Sequence, residues 1–323
     1  MKKFMVTKVP EFSDGECEYT FPSVDSGGEF YEERTNRNVG WIARQEQELY
    51  LKGKTVGIAG CGGMGGLAAK TLVRTGIGTL KIADSEVFDV SNLNRQDACT
   101  MRTIGESKVL ATAQQLRDVA DDMTLIAYSR GITETSVADF VSGCNCIADE
   151  IEFWALGSRI LLHQIARRAG ITVFNCPTVG HRVYLYKFTP DSMPIEEVLD
   201  ISYEDAWILQ TRIQNGTATK KERQIVMDKM LAFAVPEIPE YSLDSGVYST
   251  VTELKRRLLE EGTASIIGTN PPMASGFLCN HILFELLRES NIKRNFVLPP
   301  PMPGYLMFDA GMHTCSKVET RWW

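Results

Sequence analysis

Thr55-Val-Gly-Ile-Ala-Gly-Cys-Gly-Gly-Met-Gly-Gly66 decides how this chain is read. The stretch opens as a short apolar strand and runs straight into a glycine-rich turn. Gly60, Gly62 and Gly65 keep the spacing G-x-G-x-x-G, Gly63 lies inside it, and Leu67-Ala-Ala-Lys-Thr-Leu-Val73 opens a helix behind. Glycines let the backbone approach phosphate oxygens, and a helix N-terminus offers unpaired N–H groups at the positive end of its dipole. The same letters would also serve an ordinary tight strand-to-helix turn, so the neighbours of the turn carry the decision.

The next strand, Thr79-Leu-Lys-Ile-Ala83, ends in Asp84. That acid lies about 20 residues past the glycines, where a Rossmann fold places a ribose-binding carboxylate, and Glu86 joins it in the nucleotide-binding set. The chain continues Asp84-Ser-Glu-Val-Phe-Asp-Val-Ser-Asn-Leu-Asn-Arg-Gln96 and then Ile104-Gly-Glu-Ser-Lys108. Hydride transfer has little use for an Asn, an Arg and a Lys here. A triphosphate does: arginine makes forked contacts to phosphate oxygens, and lysine adds a compact charge.

These residues resemble the ThiF/MoeB/HesA superfamily, the adenylation fold of ubiquitin-activating enzymes. The family pattern is a glycine loop, an Asp ending the second strand, S-N-L-x-R-Q and then G-x-x-K; all four occur here in order. The resemblance implies a Rossmann-like α/β fold, a mostly parallel sheet continuing into an antiparallel half. It makes Asp84 the ribose ligand, places Asn92, Arg95 and Lys108 around the phosphates and metal, and has Gln96 brace the motif. It also makes Tyr31-Glu-Glu-Arg-Thr-Asn-Arg37 similar to the R-Y-x-R-Q segment of bacterial members, with Asn38 where Gln is usual and Thr35 where Tyr is usual. In those homodimers the second arginine reaches the partner's ATP, a role that falls on Arg37; a solvated arginine on an N-terminal helix is the alternative.

Further along, Lys108–Val119 reads as an amphipathic helix, Met123–Tyr128 as a strand and Thr133–Ser142 as a helix. Cys144-Asn-Cys-Ile-Ala148 reads as a buried strand with both cysteines on one face, ending at Asp149-Glu-Ile-Glu152. A carboxylate at such a strand end faces the crevice where α/β sheets bind ligands. The family's D-x-x-D-N pattern, whose second Asp handles the catalytic magnesium, is altered here. Asp149 is favoured for that role because it ends the strand; Glu152 is the other candidate, with an acid of the helix N-terminus as its alternative reading.

Then follow a helix over Ser158–Ala169, which carries Arg159, a strand over Ile171–Asn175, and the loop Cys176-Pro-Thr-Val-Gly180. The strand Arg182–Phe188 alternates strictly, as a sheet with one wet face would. By resemblance Thr178, Gly180 and His181 neighbour the substrate carboxylate, His181 without a catalytic role. Residues 191–262 read as a helical insertion, with a capped start at Met193, a helix over Thr217–Leu231 and another over Val251–Glu261. The insertion is either a substrate-recognition element or a cover for the sheet. A loop from Thr263 feeds an apolar helix similar to the late, dimer-facing helix of the family. Met302–Phe308 and Thr314–Glu319 form a closing hairpin, and Thr320-Arg-Trp-Trp323 exposes two aromatics. The organisation is thus an arm (1–50), a nucleotide-binding half (51–190), the insertion (191–262) and the rest of the adenylation domain (263–323).

Composition agrees. The chain has 323 residues, 44% hydrophobic, with a formal charge of −7, which disfavours a DNA-coating surface. No apolar run approaches ~20 residues, so no membrane span is expected. Met1-Lys-Lys-Phe-Met-Val6 lacks a signal-peptide core. The eight cysteines contain no C-x-x-C, so no structural zinc is expected, and most read as small buried hydrophobes in a reducing cytoplasm. Nothing local marks Cys176 or Cys315 as the thioester-forming nucleophile that larger members use.

The resemblance implies a homodimeric enzyme that uses ATP and Mg²⁺ to turn a carboxylate into an acyl-adenylate with release of pyrophosphate. The carboxylate belongs to a small ubiquitin-like or carrier protein, to a ribosomal peptide, or to a modified tRNA nucleoside. An NAD-binding oxidoreductase and a catalytically silent binding protein are the competing readings.

Overall fold

The computed structural model describes residues 18–24, 28–242, 244 and 248–319. Met1–Val6, Cys17 and Thr320–Trp323, considered above, lie outside the described residues. The chain forms two compact units. One runs to Glu150 and takes in Ser275–Leu298; the other comprises Ile151–Ala274 and the chain from Pro299.

In the first unit β1 (Glu18–Phe21) and α1 (Glu29–Thr35) are followed by the short α2 (Arg44–Glu46) and a π-helical turn to Lys52. Then come β2 (Thr55–Ala59), α3 (Gly63–Thr75), β3 (Thr79–Ala83), α4 (Lys108–Val119), β4 (Thr124–Tyr128), α5 (Val137–Val141) and β5 (Cys146–Asp149). The strand order is β1-β4-β3-β2-β5; β1 is antiparallel and the rest are parallel. Val56, Ile58, Leu80, Ile82, Leu125 and Ile147 are wholly buried, as continuous apolar strands of a parallel sheet covered on both faces must be.

The register levels the strand ends. Ala59 stands opposite Ala83 on one side and Asp149 on the other. The glycine turn, Asp84 and Asp149 therefore all occupy the carboxyl edge of the parallel strands, where open α/β sheets bind ligands. The arm is tied down behind that edge. Tyr31 Oη donates to the Gly76 carbonyl (2.6 Å), and Asn38 Nδ2 donates to the Thr75 carbonyl (2.9 Å) at the end of α3.

Two expectations shift here for local reasons. α5 starts at Val137 because Ser136 Oγ and the Gly131 carbonyl close a turn (2.9 Å) and Thr133 N–H donates to the same hydroxyl (3.0 Å). Cys144 precedes β5, with its Sγ on the Phe140 carbonyl (3.2 Å), so it does not share a strand face with Cys146.

The second unit holds α6 (Leu156–Arg168), β6 (Thr172–Asn175), β7 (Thr178–Val179) and β8 (Arg182–Phe188). The segment read as an insertion carries the helices α7 (Ile195–Val198), α8 (Tyr203–Gln214), α9 (Lys220–Ala234) and α10 (Thr250–Arg256), with a π-helical turn to Glu261. After α11 (Asn270–Leu287), β9 (Tyr305–Asp309) and β10 (Thr314–Val318) make the expected hairpin. Strands β6, β8, β9 and β10 are antiparallel in that order, and β7 folds back on β8. The protein is thus a mixed α/β fold, parallel except for β1 in one unit and antiparallel in the other.

β8 corrects the expectation of a wet face, because all seven of its residues are buried. Its tyrosines explain the misreading. Tyr186 packs on Phe233 of α9 and donates its hydroxyl to the Phe233 carbonyl (2.8 Å), and Tyr184 donates to the Glu237 carbonyl (3.0 Å). Tyrosine counts as half-polar in an alternation, yet it buries well once its hydroxyl has a partner. Arg182, the polar end of the strand, is paired with the wholly buried Asp309 (2.7 Å).

α8 escaped the sequence reading. Its buried face is Ala206 and Gln210, and Gln210 exchanges hydrogen bonds with Ser158 of α6 (2.9 and 3.0 Å), so its apolar period is weak. Gly157 makes that approach possible: a Cβ there would lie 2.8 Å from the Trp207 backbone. α9 begins at Lys220 rather than Thr217 because Thr219 and Glu222 form a reciprocal capping box. No helix among the described residues is long and apolar enough to cross a membrane.

Candidate nucleotide site

The glycine turn is built by contacts that no side chain would permit. Gly60 adopts φ +105° and donates its N–H to the Ala83 carbonyl (2.7 Å). A Cβ on Gly65 would lie 1.9 Å from the Gly60 carbonyl oxygen. That contact starts α3 at Gly63, four residues ahead of the expected Leu67, with Gly62 as N-cap and no side chain capping it. The N–H groups of the first turn therefore face outward unopposed by the protein's own caps, an arrangement suited to an anion.

Asp84 fastens the turn to the next strand. Its Oδ2 accepts the Cys61 N–H (2.7 Å) and its Oδ1 the Glu86 N–H (2.8 Å). Burial pushes its carboxyl above the usual range, against the opposing pull of Lys108 and these two N–H donors. Each oxygen keeps a lone pair for a further donor such as a ribose hydroxyl.

The polar loop between β3 and α4 is a folded unit of its own. Asp89 accepts the Ser91 N–H (2.8 Å) and Asn92 Oδ1 accepts the Asp89 N–H (3.2 Å), capping the 3₁₀ turn Val90–Asn92. Beneath it Phe88, Ala98 and Cys99 form a small apolar cluster with Ile104 and Ala111. Lys70 of α3 reaches Asp97 (2.8 Å), a tie the sequence reading missed although both residues flank motif positions. The buried Gln96 sits beside Gly62, and its Oε1 has no hydrogen-bond partner among the described residues.

Cations converge on this loop. Lys108, buried at the start of α4, holds the half-exposed Glu86 carboxylate at 2.8 Å. Arg95 hydrogen-bonds the Ser91 carbonyl and Asn94 Oδ1, both at 2.9 Å, and Glu86 acts on it electrostatically. Within one unit, Asp84 and Gln96 thus adjoin the glycine turn, Glu86 and Lys108 pair beside Asp84, and Asn92 and Arg95 belong to the loop that joins them.

The remaining candidates divide. Asp149 is wholly buried at the end of β5, whereas Glu152 is half-buried, with Oε2 on the Trp154 N–H (2.7 Å). Glu152 lies ahead of α6, whose first turn contains no acid, so it is not the dipole-stabilised helix residue of the alternative reading. The buried Arg159 serves this segment by holding the Ile151 carbonyl. Arg37 is exposed and makes no hydrogen bond or ion pair among the described residues.

Burial raises the thiols of Cys61, Cys99, Cys144 and Cys279, the last two to about 12, away from the thiolate form that a nucleophile needs. Cys176 is buried with its Sγ toward the Ala274 carbonyl; Cys315 is exposed on β10. No cluster of three or more His, Cys, Asp or Glu side chains that could hold a metal occurs among the described residues. In the second unit His181 is exposed and donates its backbone N–H to Tyr241 Oη (2.8 Å), while Asn270 donates to the Gly180 carbonyl.

Comparison with known proteins agrees with this geometry. The tRNA threonylcarbamoyladenosine dehydratase of Bacillus subtilis is 22% identical over 261 residues, which span 80% of this chain and 96% of that protein. The sulfur carrier protein ThiS adenylyltransferase of the same organism is 27% identical over 146 residues, 45% of this chain and 43% of that one. The crystal structure of Escherichia coli MccB with ATP shares the fold, with a TM-score of 0.59 at 12% identity, covering 94% of this chain and 73% of that chain. The ThiF family profile matches residues 35–300, and the chain belongs to the ThiF family.

Proposed function

We propose that this protein is an ATP-dependent adenylyltransferase. It activates the carboxylate of a polypeptide, the C-terminus of a small carrier protein or of a ribosomal peptide. The observation that carries the reading is the tie of Asp84 to the glycine turn, with the Lys108–Glu86 pair beside it, at an uncapped helix N-terminus whose glycines permit close backbone approach. The named relatives that use ATP or act on a carrier protein support it. In this reading Asp84 takes the ribose, and the first turn of α3 with Asn92, Arg95 and Lys108 takes the phosphates. Glu86 releases Lys108 as the nucleotide enters, and the orphaned Gln96 Oε1 gains a donor.

The chemistry is attack of a carboxylate oxygen on the α-phosphorus of ATP. A P–O bond forms to the acyl group, and the bond to pyrophosphate breaks. Negative charge grows on the phosphate oxygens, and Arg95 and Lys108 offset it in a water-poor cleft. Arg37, exposed and unengaged, serves the site of a second copy in a homodimer. Magnesium needs one or two protein carboxylates beside the phosphates, and carboxylate donors fit it. Of the two candidates Asp149 ends β5 in the unit that carries the glycine turn, so we assign the ion to Asp149. Bound there, the ion would draw charge from the phosphate oxygens.

A second reading has its own support: the relative matched over nearly its whole length is named a tRNA-modifying enzyme. The charge of −7 favours the polypeptide over a polyanion. ATP–pyrophosphate exchange tests both, run with the small-polypeptide fraction and, separately, with the tRNA fraction of the source cells. Exchange with polypeptide, lost in Lys108→Ala, is the expected result. Exchange with tRNA alone would overturn the polypeptide assignment. ATP cleaved to ADP and phosphate would overturn adenylation.

A further inference from the structure

The helices of the second unit leave an apolar groove open. It lies between α8 and α9, has a volume of about 810 Å³, and is floored by Ile201, Ile208, Leu209 and Ile225. Ile208 is 49% and Ile225 37% exposed. The size falls in the range of about 300–1,000 Å³ typical of pockets that bury a ligand.

Its rim is strongly unbalanced. Five carboxylates line it, Glu196, Glu197, Asp200, Asp205 and Glu222, against two cations, Arg212 and Lys229. Both cations are already taken within the chain. Arg212 pairs with Glu222, and Lys229 clasps the turn at Asp200 through its carbonyl (2.6 Å) and carboxylate (3.4 Å). Three acids remain with their charge uncompensated. Glu196 accepts from Gln164 (3.0 Å) and Asp205 from the Ser202 hydroxyl (2.8 Å), neutral donors that fix the carboxylates without neutralising them. The Glu197 side chain makes no hydrogen bond or ion pair among the described residues.

We infer that this groove docks an amphipathic basic helix of the polypeptide whose carboxylate is activated. Its apolar face lies on the isoleucines, and its Lys or Arg side chains meet Glu196, Glu197 and Asp205. Two neighbouring helices with an apolar seam form the kind of groove that accepts a third helix, and the acidic rim selects partners by charge and speeds their encounter. A polyanion such as tRNA is repelled from the same rim. The inference rests on the adenylation reading for the identity of the partner, but not for the groove's preference.

Fluorescence anisotropy with a labelled synthetic helix, leucine on one face and lysine on the other, measures the preference. Two control peptides replace the lysines by glutamates or the leucines by serines. The lysine–leucine peptide binds at least about tenfold tighter than either control, and its affinity falls with salt. Ile208→Ser and Ile225→Ser each weaken it about fivefold or more, and Glu197→Lys about tenfold, because a lost floor contact and a reversed rim charge act on binding directly. All three substituted positions are surface residues, and each variant keeps the stabilisation by ATP of the parent protein. A lysine–leucine peptide that fails to bind, or binds all variants equally, overturns the groove assignment. Loss of ATP stabilisation in the parent protein overturns the adenylation reading instead.

Discussion

The glycine turn and the α8–α9 groove recognise by opposite means. The turn presents backbone N–H groups and a helix end, and its shape depends on atoms that are missing: the 1.9 Å approach at Gly65 leaves no room for a methyl group. The groove presents side chains on helices held by α6 and by the Thr219–Glu222 cap. Backbone recognition is therefore rigid and intolerant of change, whereas side-chain recognition can be graded one residue at a time. The difference suits the division of labour proposed here, a constant nucleotide at one site and a specific polypeptide at the other.

The largest expected effect comes from breaking the turn. Gly65→Ala drives a Cβ into the Gly60 carbonyl, and ATP ceases to raise the melting temperature. The contrasting substitution, Gly216→Ala at the end of α8, meets no atom within 4 Å and suffers just its φ of +68°. It costs about 1 kcal/mol of stability and leaves ATP binding intact. Equal losses in the two variants would remove the contrast.

Next come the cations. Lys108→Ala and Arg95→Ala each lower the rate of pyrophosphate exchange about 10²–10³-fold, the usual loss for one donor to a developing charge. Arg37→Ala does the same if the arginine crosses to a second copy. Mixing Arg37→Ala with Arg95→Ala then restores activity. With free exchange half the dimers are mixed and each has one intact site of two, so the mixture reaches about a quarter of the parent activity. Exchange without any recovery contradicts the shared site.

The smallest effects concern protons, and they run in opposite directions. Glu222, capping α9, titrates at about 2 instead of 4.5, chiefly because Thr219 donates to its charged form. Its contribution is complete above pH 4.5 and is lost as pH falls toward about 2, so Glu222→Gln flattens that limb of a urea-midpoint profile. Asp84 is raised above 3.8, chiefly by burial and against the pull of Lys108, so folding favours its protonated form relative to the unfolded chain. Its contribution declines as pH rises through the raised value, and a saturating nucleotide that hydrogen-bonds the charged form reverses the decline. Parallel profiles for both residues would refute the contrast.

The same division explains what was legible in the sequence. The glycines, Asp84, Asn92, Arg95 and Lys108 could be singled out as candidates from the sequence because one strand, one turn and one loop carry them. β3, α4 and β8 appear with the boundaries expected. What failed depended on partners distant in the chain. The burial of β8 required α9 to supply a carbonyl for Tyr186, and α8 hid because its inward residue is a glutamine satisfied by Ser158. The start of α9 was within reach of a closer reading, since Thr219 and Glu222 carry the capping-box spacing. The groove was not, for its floor and rim are drawn from three helices and the turn between two of them.

Thermal unfolding with Mg-ATP and with NAD, in the parent protein and in Lys108→Ala, tests the central claim most directly. The account predicts that ATP stabilises the parent by about 2.7 kcal/mol at a hundredfold excess over its dissociation constant. NAD leaves it unchanged, and Lys108→Ala loses most of the ATP effect. Stabilisation by NAD without stabilisation by ATP would contradict the account.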